Sequence, residues 1–292
     1  MPMNEKISVA IQGVSGAFHE IASRQYFNKQ QLEIIQCLSF NDLFDTLLLD
    51  EVEYGVIAIE NSVVGSIIPN YALLRESKLK ILGEIFLRIE QHLIVSKGEK
   101  LENIKEIYSH PMALEQCLNF LNPLRRSGVR ILEAEDTALS VKRIADNNLK
   151  GVAAIASDLA AEIYGLEILH RGIETNKKNY TRFLVISNEK NYLRHQENIQ
   201  KNKASLCFRL PHEEGSLSQV LSVLTFYKIN LSKIQSLPVV GVEWEYLFYI
   251  DLVFSNYDKY KQALTAILPL TKKLTILGEY QKGKRPKENT IK

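Results

Sequence analysis

Short apolar segments alternate with amphipathic segments over the first 188 residues, and this alternation predicts an α/β domain. The predicted strands are Ile7–Gln12, Leu32–Cys37, Tyr54–Ile59, Ile81–Leu87, Gln91–Val95, Glu106–Tyr108, Arg130–Glu133, Val152–Ala156 and Phe183–Ile186. The predicted helices are Phe18–Phe27, Asn41–Asp50, Ser66–Glu76, Pro111–Leu121, Thr137–Asn147 and Ser157–Tyr164.

The alternation changes at Leu79–Ile94, where two strand-like segments follow one another before new helix and strand units begin. We therefore predict two lobes, the first from about residues 1–85 and 178–188 and the second from about residues 86–177. Two lobes joined by crossing strands enclose a cleft, in which hinge closure can clamp a small ligand.

The remainder of the chain predicts a second, smaller domain. Residues 189–203 are polar and almost free of periodic apolar positions, so they are interpreted as an interdomain linker. Residues 204–282 then follow the order β-α-β-β-α-β, which is typical of a ferredoxin-like domain. Residues 283–292 are basic and are interpreted as a flexible tail.

The composition argues against nucleic acid or a membrane as a partner. The chain has 36 basic and 34 acidic residues and a net charge of +2, so it carries no global field that attracts polyanions. The three cysteines are far apart and lack a Cys-x-x-Cys spacing, which is typical of reduced thiols in a cytoplasm. No signal-like segment opens the sequence, and no apolar run approaches the ~20 residues of a membrane span. We therefore expect a cytoplasmic protein.

No cofactor is expected either. The segment Gly13-Val14-Ser15-Gly16 lacks the third glycine of a dinucleotide fingerprint, and no P-loop Gly-Lys-Ser or Gly-Lys-Thr occurs near it. The six histidines show neither His-x-x-x-His nor Cys/His ligand spacing, which gives a metal site little support.

Four loops with small polar residues each fall between a predicted strand and the start of a helix. A helix start offers unpaired N–H groups and partial positive charge, so it can bind an anion without Lys or Arg. Each loop taken singly is better explained by helix capping than by ligand binding. Together, such loops gather at the carboxyl ends of strands, where ligands of α/β sheets bind. The four are Gly13–Gly16, Glu60–Ser66, Ser109–Pro111 and Glu135–Thr137.

The segment Asn179–Phe183 places an amide, a hydroxyl and a guanidinium directly before an apolar strand. An Arg beside a Thr suits a substrate that carries carboxylates and must receive a proton. The alternative is an ordinary strand start with one solvated Arg.

These motifs, in this order, resemble the prephenate dehydratase family over about residues 5–282. The catalytic part of the resemblance lies in Gly13-x-x-Gly16, Ile59-Glu60-Asn61-Ser62-x-x-Gly65, Tyr108-Ser109-His110-Pro111-x-Ala113-Leu114, Thr137-Ala138 and Asn179-x-Thr181-Arg182-Phe183. The small domain resembles an ACT regulatory domain through Gly215-Ser216-Leu217 and Ile229–Ile234. The chain departs from the family pattern at Ala17 and His19, at Met112, and at Asp136.

The resemblance implies a bilobal, periplasmic-binding-protein-like catalytic domain that converts prephenate to phenylpyruvate with loss of CO₂ and water. In that role Arg182 would bind a substrate carboxylate and Thr181 would donate toward the leaving hydroxyl. Phe183 would be a pocket wall or a core residue. The polar lining would be completed by Asn61, Ser62, Ser109, Thr137 and Asn179.

The resemblance also implies feedback by phenylalanine, bound where two ACT domains pair, and hence a homodimer or homotetramer. The residues implied are Gly215, Ser216, Leu217, Asn230, Gln235, Ser236, Leu237 and Pro238. Gln235-Ser236-Leu237-Pro238 stands where the family has Glu-Ser-Arg-Pro, so both charged positions are neutral here and altered phenylalanine binding is expected. Two other functions remain open at this point, an arogenate dehydratase and a non-catalytic cytoplasmic amino-acid sensor.

Overall fold

The computed structural model describes residues 6–28, 30–196, 199–239, 241–242 and 245–284, and it shows a mixed α/β fold with three sheets. The chain divides into two compact units. Unit 1 contains residues 6–67 and 85–183, and unit 2 contains residues 68–84 and 184–284.

The first sheet has the strand order β2-β1-β3-β11-β5, with the short strand β4 paired to β3. Strand β1 is parallel to both β2 and β3, as expected where helices connect successive strands. The strands are β1 Ile7–Gln12, β2 Leu32–Cys37, β3 Tyr54–Asn61, β4 Gly65–Ser66, β5 Lys80–Arg88 and β11 Tyr180–Ser187. The helices among them are α1 Phe18–Tyr26, α2 Phe40–Leu48 and α3 Ile68–Ser77.

The second sheet has the order β10-β6-β9-β7-β8 and lies entirely within unit 1. Its central strands are buried on both faces, since alternate residues of β6 and β9 belong to two separate hydrophobic clusters. The strands are β6 His92–Val95, β7 Glu106–Ser109, β8 Arg130–Glu133, β9 Val152–Ala156 and β10 Glu167–His170. The helices are α4 Pro111–Gln116, α5 Leu118–Arg126, α6 Thr137–Asp146 and α7 Asp158–Ile163.

Within unit 1 the chain crosses between these two sheets twice, at residues 89–91 and at residues 171–179. The two crossing segments are hydrogen-bonded to each other. Ile89 N–H donates to the Asn179 carbonyl at 2.8 Å, and Ile173 N–H donates to the Gln91 carbonyl at 2.8 Å. The crossings therefore form one connected piece of backbone rather than two independent loops.

The third sheet lies in unit 2 and has the order β13-β14-β12-β15. The predicted order β-α-β-β-α-β is confirmed, and the two helices cover one face of the sheet with a core that includes Phe208, Leu252 and Tyr260. The elements are α8 Glu189–Gln196, β12 Lys203–Leu210, α9 Ser216–Phe226, β13 Asn230–Pro238, β14 Tyr246–Val253, α10 Tyr257–Ile267 and β15 Lys272–Tyr280.

Unit 2 also contains α3 and residues 80–84 of β5, and these contact the C-terminal strand β15 and its extension. Lys80 Nζ donates to the Ile276 carbonyl at 2.9 Å, and Gly83 forms a bridge with Gln281. A Cβ on Gly278 would lie 2.3 Å from the Ile81 carbonyl oxygen, so this close approach of two backbones requires glycine.

Four elements differ from the predicted pattern, and the first is the short strand β4, which was not predicted and overlaps the predicted start of a helix at Ser66. The predicted helix Pro111–Leu121 is interrupted at Cys117, because the Gln116 carbonyl accepts the Thr175 N–H at 2.7 Å and is lost to the helical ladder. Strand β10 was not predicted. Helix α8 forms inside the segment predicted to be a linker, where Asn188 Oδ1 accepts the Asn191 N–H at 2.9 Å. Residues 243–244 and most of the basic tail fall outside the described residues.

Candidate active site

Asn61, the last residue of β3, has every hydrogen-bonding position of its side chain occupied. Its Nδ2 donates to Asn179 Oδ1 at 2.8 Å and to Thr181 Oγ1 at 2.9 Å. Its Oδ1 accepts the N–H groups of Val63 at 2.8 Å and Val64 at 3.0 Å. Because an amide has two donors and two acceptor lone pairs, these contacts fix its orientation.

Asn179 connects Asn61 to two glutamines, Gln116 at the end of α4 and Gln91 directly before β6. Asn179 Nδ2 donates to Gln116 Oε1 at 2.9 Å, and Gln91 Nε2 approaches the same oxygen at 3.4 Å. We call Asn61, Asn179, Gln116 and Gln91 the amide network. Gln91 and Gln116 were not among the predicted site residues. The available signal was the position of Gln116 in the helix that follows Ser109-His110-Pro111.

Thr181 is buried with 7% exposure, and its Oγ1 accepts the hydrogen bond from Asn61. A hydroxyl carries a single proton in addition to its two lone pairs. Since the Asn61 contact uses a lone pair, the Thr181 proton remains to be donated to another group. The structure thus brings together three of the predicted site residues, Asn61, Asn179 and Thr181.

Arg182 lies on the opposite face of β11 from Thr181, because successive side chains of a strand alternate. Its Nη1 is 3.8 Å from Glu60 Oε2, and its side chain is only 5% exposed. Phe183 returns to the face of Thr181 but is 1% exposed and packs edge-on against His19, with ring centroids 5.0 Å apart. Phe183 is therefore a core residue.

The predicted hydroxyl residues have separate local contacts. Ser62 Oγ donates to the Lys178 carbonyl at 3.0 Å and accepts the Tyr180 N–H at 2.9 Å, which joins the Asn61 loop to the start of β11. Ser109 is fully buried and donates to the Ile155 carbonyl at 2.6 Å, inside the second sheet. Thr137 begins α6 directly after its cap residue Asp136.

The glycine loop after β1 packs directly on the second sheet's helices. A Cβ on Gly13 would lie 2.9 Å from Asp136 Oδ2, and one on Gly16 would lie 2.6 Å from Ala160 Cα. Ser157 Oγ donates to the Gly16 carbonyl at 2.6 Å. Two of the four predicted loops, Gly13–Gly16 and Glu135–Thr137, therefore meet, and burial raises the pKa of the Asp136 carboxyl there.

Two histidines near these loops are neutral because they are buried. Burial lowers the pKa of His19 to about 4, and His19 Nε2 has no hydrogen-bond partner among the described residues. Burial likewise lowers the pKa of His92, whose Nδ1 accepts the Gly172 N–H at 3.0 Å. Neither ring is protonated at neutral pH.

A cavity of about 270 Å³ lies beside the amide network. It is lined by Val63, Glu115, Gln116, Leu118, Asn119, Glu174, Thr175, Asn176 and Asn179. A larger surface cavity of about 460 Å³ lies over α6 and contains none of the predicted site residues. We assign the candidate active site to the smaller cavity because two amide groups of the network form part of its wall.

The residues predicted to bind an effector lie on two elements of unit 2. Gly215, at φ +82°, precedes α9, whose first residues are Ser216 and Leu217. Asn230 and Gln235–Pro238 belong to β13, an edge strand of the third sheet. Gln235 Nε2 donates to the neighbouring Ser236 carbonyl at 3.0 Å.

Neither a metal centre nor a membrane span is found in the part of the chain that the structure describes. No group of three or more His, Cys, Asp or Glu residues there is arranged to hold a metal ion. None of the helices there combines the length and the apolarity that crossing a bilayer requires.

Comparison with known proteins gives a consistent family. The family model of prephenate dehydratase matches residues 9–191. The arogenate dehydratase/prephenate dehydratase 1 of Arabidopsis thaliana is 37% identical over 292 residues, which cover 95% of this chain and 72% of that protein.

Two solved structures are similar along nearly the whole chain. Prephenate dehydratase from Arthrobacter aurescens in complex with L-Phe matches with a TM-score of 0.80 and 25% identity, covering 94% of this chain and 89% of that chain. GqqA, named as a novel type of quorum quenching acylase, matches with a TM-score of 0.82 and 28% identity, covering 94% and 98%.

Proposed function

Because the chain belongs to the prephenate dehydratase family, we propose that it converts prephenate to phenylpyruvate with loss of CO₂ and water. The observation that carries this proposal is the hydrogen bond from Asn61 Nδ2 to Thr181 Oγ1. Asn61 also donates to Asn179, and Asn179 lines the candidate cavity. The hydrogen bond to Oγ1 supports a role for Thr181 as the donor to the hydroxyl that leaves.

The reaction needs orientation and one proton. The bond between the ring and its carboxylate breaks, and the electron pair moves through the ring to expel the hydroxyl, which takes up a proton and leaves as water. Aromatisation makes this elimination favourable. The protein therefore has to hold the substrate and supply a hydrogen-bond donor at the leaving oxygen.

Thr181 supplies that donor. A free hydroxyl is too weak an acid to release a full proton, so Thr181 donates a hydrogen bond and relays a proton that originates in solvent. Asn61 Nδ2 donates a hydrogen bond to a lone pair of Thr181 Oγ1. The hydroxyl proton of Thr181 therefore points away from Asn61, at the end of β3. The group is positioned before the substrate arrives, which lowers the cost of reorganisation.

Asn179 and Gln116 bind the polar groups of the substrate from the cavity wall. Gln116 Oε1 is occupied by Asn179 and Gln91, so the two Nε2 hydrogens of Gln116 serve as donors outside the network. Ser62 supports this wall by holding the Asn61 loop to residues 178–180.

For Arg182 the geometry favours a different role from the predicted carboxylate clamp. Its ion pair with Glu60 connects β11 to β3 on the face opposite Thr181. In the proposed site Arg182 keeps these two strands aligned, and Thr181 and Asn61 meet on the other face as a result.

Acyl-bond cleavage, the activity in the name of one similar structure, is disfavoured by the contact at Thr181. A hydroxyl nucleophile needs a general base that accepts its proton. The contact of Thr181 Oγ1 with the Asn61 amide is a contact with a donor, which suits a hydrogen-bonding acid and not a nucleophile.

The proposal is tested by offering purified protein prephenate and arogenate in separate spectrophotometric assays. We expect prephenate to be consumed with formation of phenylpyruvate. If only arogenate were consumed, with formation of phenylalanine, the proposed activity would be replaced by arogenate dehydratase. That activity also appears in the name of the Arabidopsis relative. Consumption of neither substrate would leave the amino-acid sensor.

We propose in addition that unit 1 carries a periplasmic-binding-protein-like pair of lobes and that residues 204–282 form an ACT domain that binds phenylalanine. The β-α-β-β-α-β order supports the domain assignment, and the similar Arthrobacter structure is a complex with L-Phe. The effector would bind where two such domains pair, in a homodimer or homotetramer.

Calorimetric titration of the full-length protein with L-phenylalanine is expected to show saturable binding. The strength should differ from that of sites with a charged pair, because Gln235 and Leu237 supply no charges on β13. L-Alanine is the matched control ligand, since it shares the backbone groups and lacks the ring. Absence of heat with phenylalanine would remove the regulatory assignment.

A further inference from the structure

Glu174 is a buried carboxylate in the second crossing segment of unit 1. Its side chain is 1% exposed, and its Oε2 accepts the Gln91 N–H at 3.0 Å. Its Oε1 lies 3.4 Å from Arg88 Nη2 and 3.5 Å from Lys177 Nζ. These two cations are partly exposed and offset the cost of burying the charge.

The backbone on each side of Glu174 is tied to one of the two glutamines of the amide network. Ile173 N–H donates to the Gln91 carbonyl at 2.8 Å, and Thr175 N–H donates to the Gln116 carbonyl at 2.7 Å. Glu174 thus lies between Gln91 and Gln116 and also forms part of the cavity wall.

The hydrogen bond from the Gln91 N–H connects Glu174 to the residues of the candidate active site. Gln91 Nε2 and Asn179 Nδ2 both approach Gln116 Oε1, and Asn179 Oδ1 accepts from Asn61, which holds Thr181. If the Glu174 carboxylate were withdrawn, the backbone of Gln91 would lose its acceptor and the two crossing segments would lose a side-chain link.

We propose that Glu174 is a positioning residue of the dehydratase reaction, which holds Gln91, Gln116 and Asn179 in register through its hydrogen bond to the Gln91 backbone. The inference rests on the proposed function, since the amide network is assigned there to substrate binding. A displacement of about 1 Å in such a network is sufficient for a loss of about 10²-fold in rate.

Two substitutions separate the reach of the side chain from its charge. Glu174→Gln keeps the length and an oxygen acceptor for Gln91 but removes the charge. Glu174→Asp keeps the charge beside Arg88 and Lys177 but shortens the side chain by one methylene. We expect kcat/KM of the Gln variant to stay within about threefold of the wild type and that of the Asp variant to fall about 10- to 100-fold.

A double-mutant cycle shows whether the effect passes through the network. The loss in Glu174→Asp combined with Gln116→Ala should be no more than about threefold beyond that of Gln116→Ala alone, because both changes disturb the same contacts. The control is Glu106→Ala, which removes a carboxylate bonded to Tyr108 and Arg130. Its effect should multiply independently with that of Gln116→Ala.

The outcomes distinguish a failure of the proposed function from a failure of the positioning role of Glu174. An inactive wild type, with neither prephenate nor arogenate consumed, overturns the proposed function. An active wild type with Glu174→Asp as active as Glu174→Gln, or more active, overturns the positioning role. Equal thermal unfolding midpoints of the two variants confirm that the comparison concerns the site. If the midpoints differ, the double-mutant cycle decides, and independent losses there overturn the positioning role.

Discussion

Replacing Thr181 with Val is expected to lower kcat for prephenate by about 10²- to 10⁴-fold, the range for a positioned acid or base group. Valine keeps the branched shape at this buried position but removes the hydroxyl proton. In the proposed site the substrate is still held by Asn179 and Gln116, so KM should change much less than kcat. A loss confined to kcat identifies an interaction made mainly in the transition state.

The matched control is Thr181→Ser, which retains a hydroxyl in contact with Asn61 and loses only a methyl group. Its kcat should stay within about tenfold of the wild type, because the donor is present but less firmly held. If the Val variant turned over prephenate at near the wild-type rate, the proton would have to reach the leaving oxygen from another group. The donor role assigned to Thr181 would then be wrong.

The secondary structure was predictable where local signals coincide with the hydrophobic period. Helix α2 starts within one residue of its prediction, because Ser39 and Asp42 form a reciprocal capping box. The order of the C-terminal domain is also fixed by alternating patterns and turn residues. These signals act over a few residues and do not depend on the rest of the fold.

The contacts of the site were not predictable in the same way. Asn61 lies 118 residues from Asn179 and 120 from Thr181, and only the folded sheet brings them together. These three residues belong to the motifs that resemble the prephenate dehydratase family, Asn61 just after a predicted strand and Asn179 and Thr181 just before one. Gln91 and Gln116 were not picked out, because polar residues inside a helix or a crossing segment have no periodic signature.

Side-chain direction is the basis of the role proposed here for Arg182. In the sequence Thr181 and Arg182 are neighbours, which makes a shared substrate plausible. In a strand neighbours face opposite sides, so Arg182 meets Glu60 while Thr181 meets Asn61. The faces were already implied by the predicted strand, but the partner on each face depends on how β3 is aligned with β11.

Replacing Lys203 with Met is expected to lower the free energy of unfolding of unit 2 by about 3 to 5 kcal/mol, the usual cost of removing one partner of a buried ion pair. Lys203 Nζ lies 2.7 Å from Glu84 Oε2 and 3.7 Å from Asp251 Oδ2, and the side chains of Lys203 and Glu84 are 3% and 0% exposed. Methionine fills a similar volume, so the loss comes from two carboxylates left buried without their cation and not from a cavity.

The double substitution Lys203→Met with Glu84→Gln tests that origin. It removes the isolated charge at Glu84, while a neutral oxygen can still accept the Gly283 N–H, which Glu84 Oε1 accepts at 3.1 Å in the wild type. The double variant should therefore be more stable than Lys203→Met alone, although it lacks more of the native contacts. Urea unfolding followed by far-ultraviolet circular dichroism gives the comparison. A double variant less stable than Lys203→Met would show that the Glu84 carboxylate is stabilising without Lys203, and the cost of the single substitution would then have to come from packing.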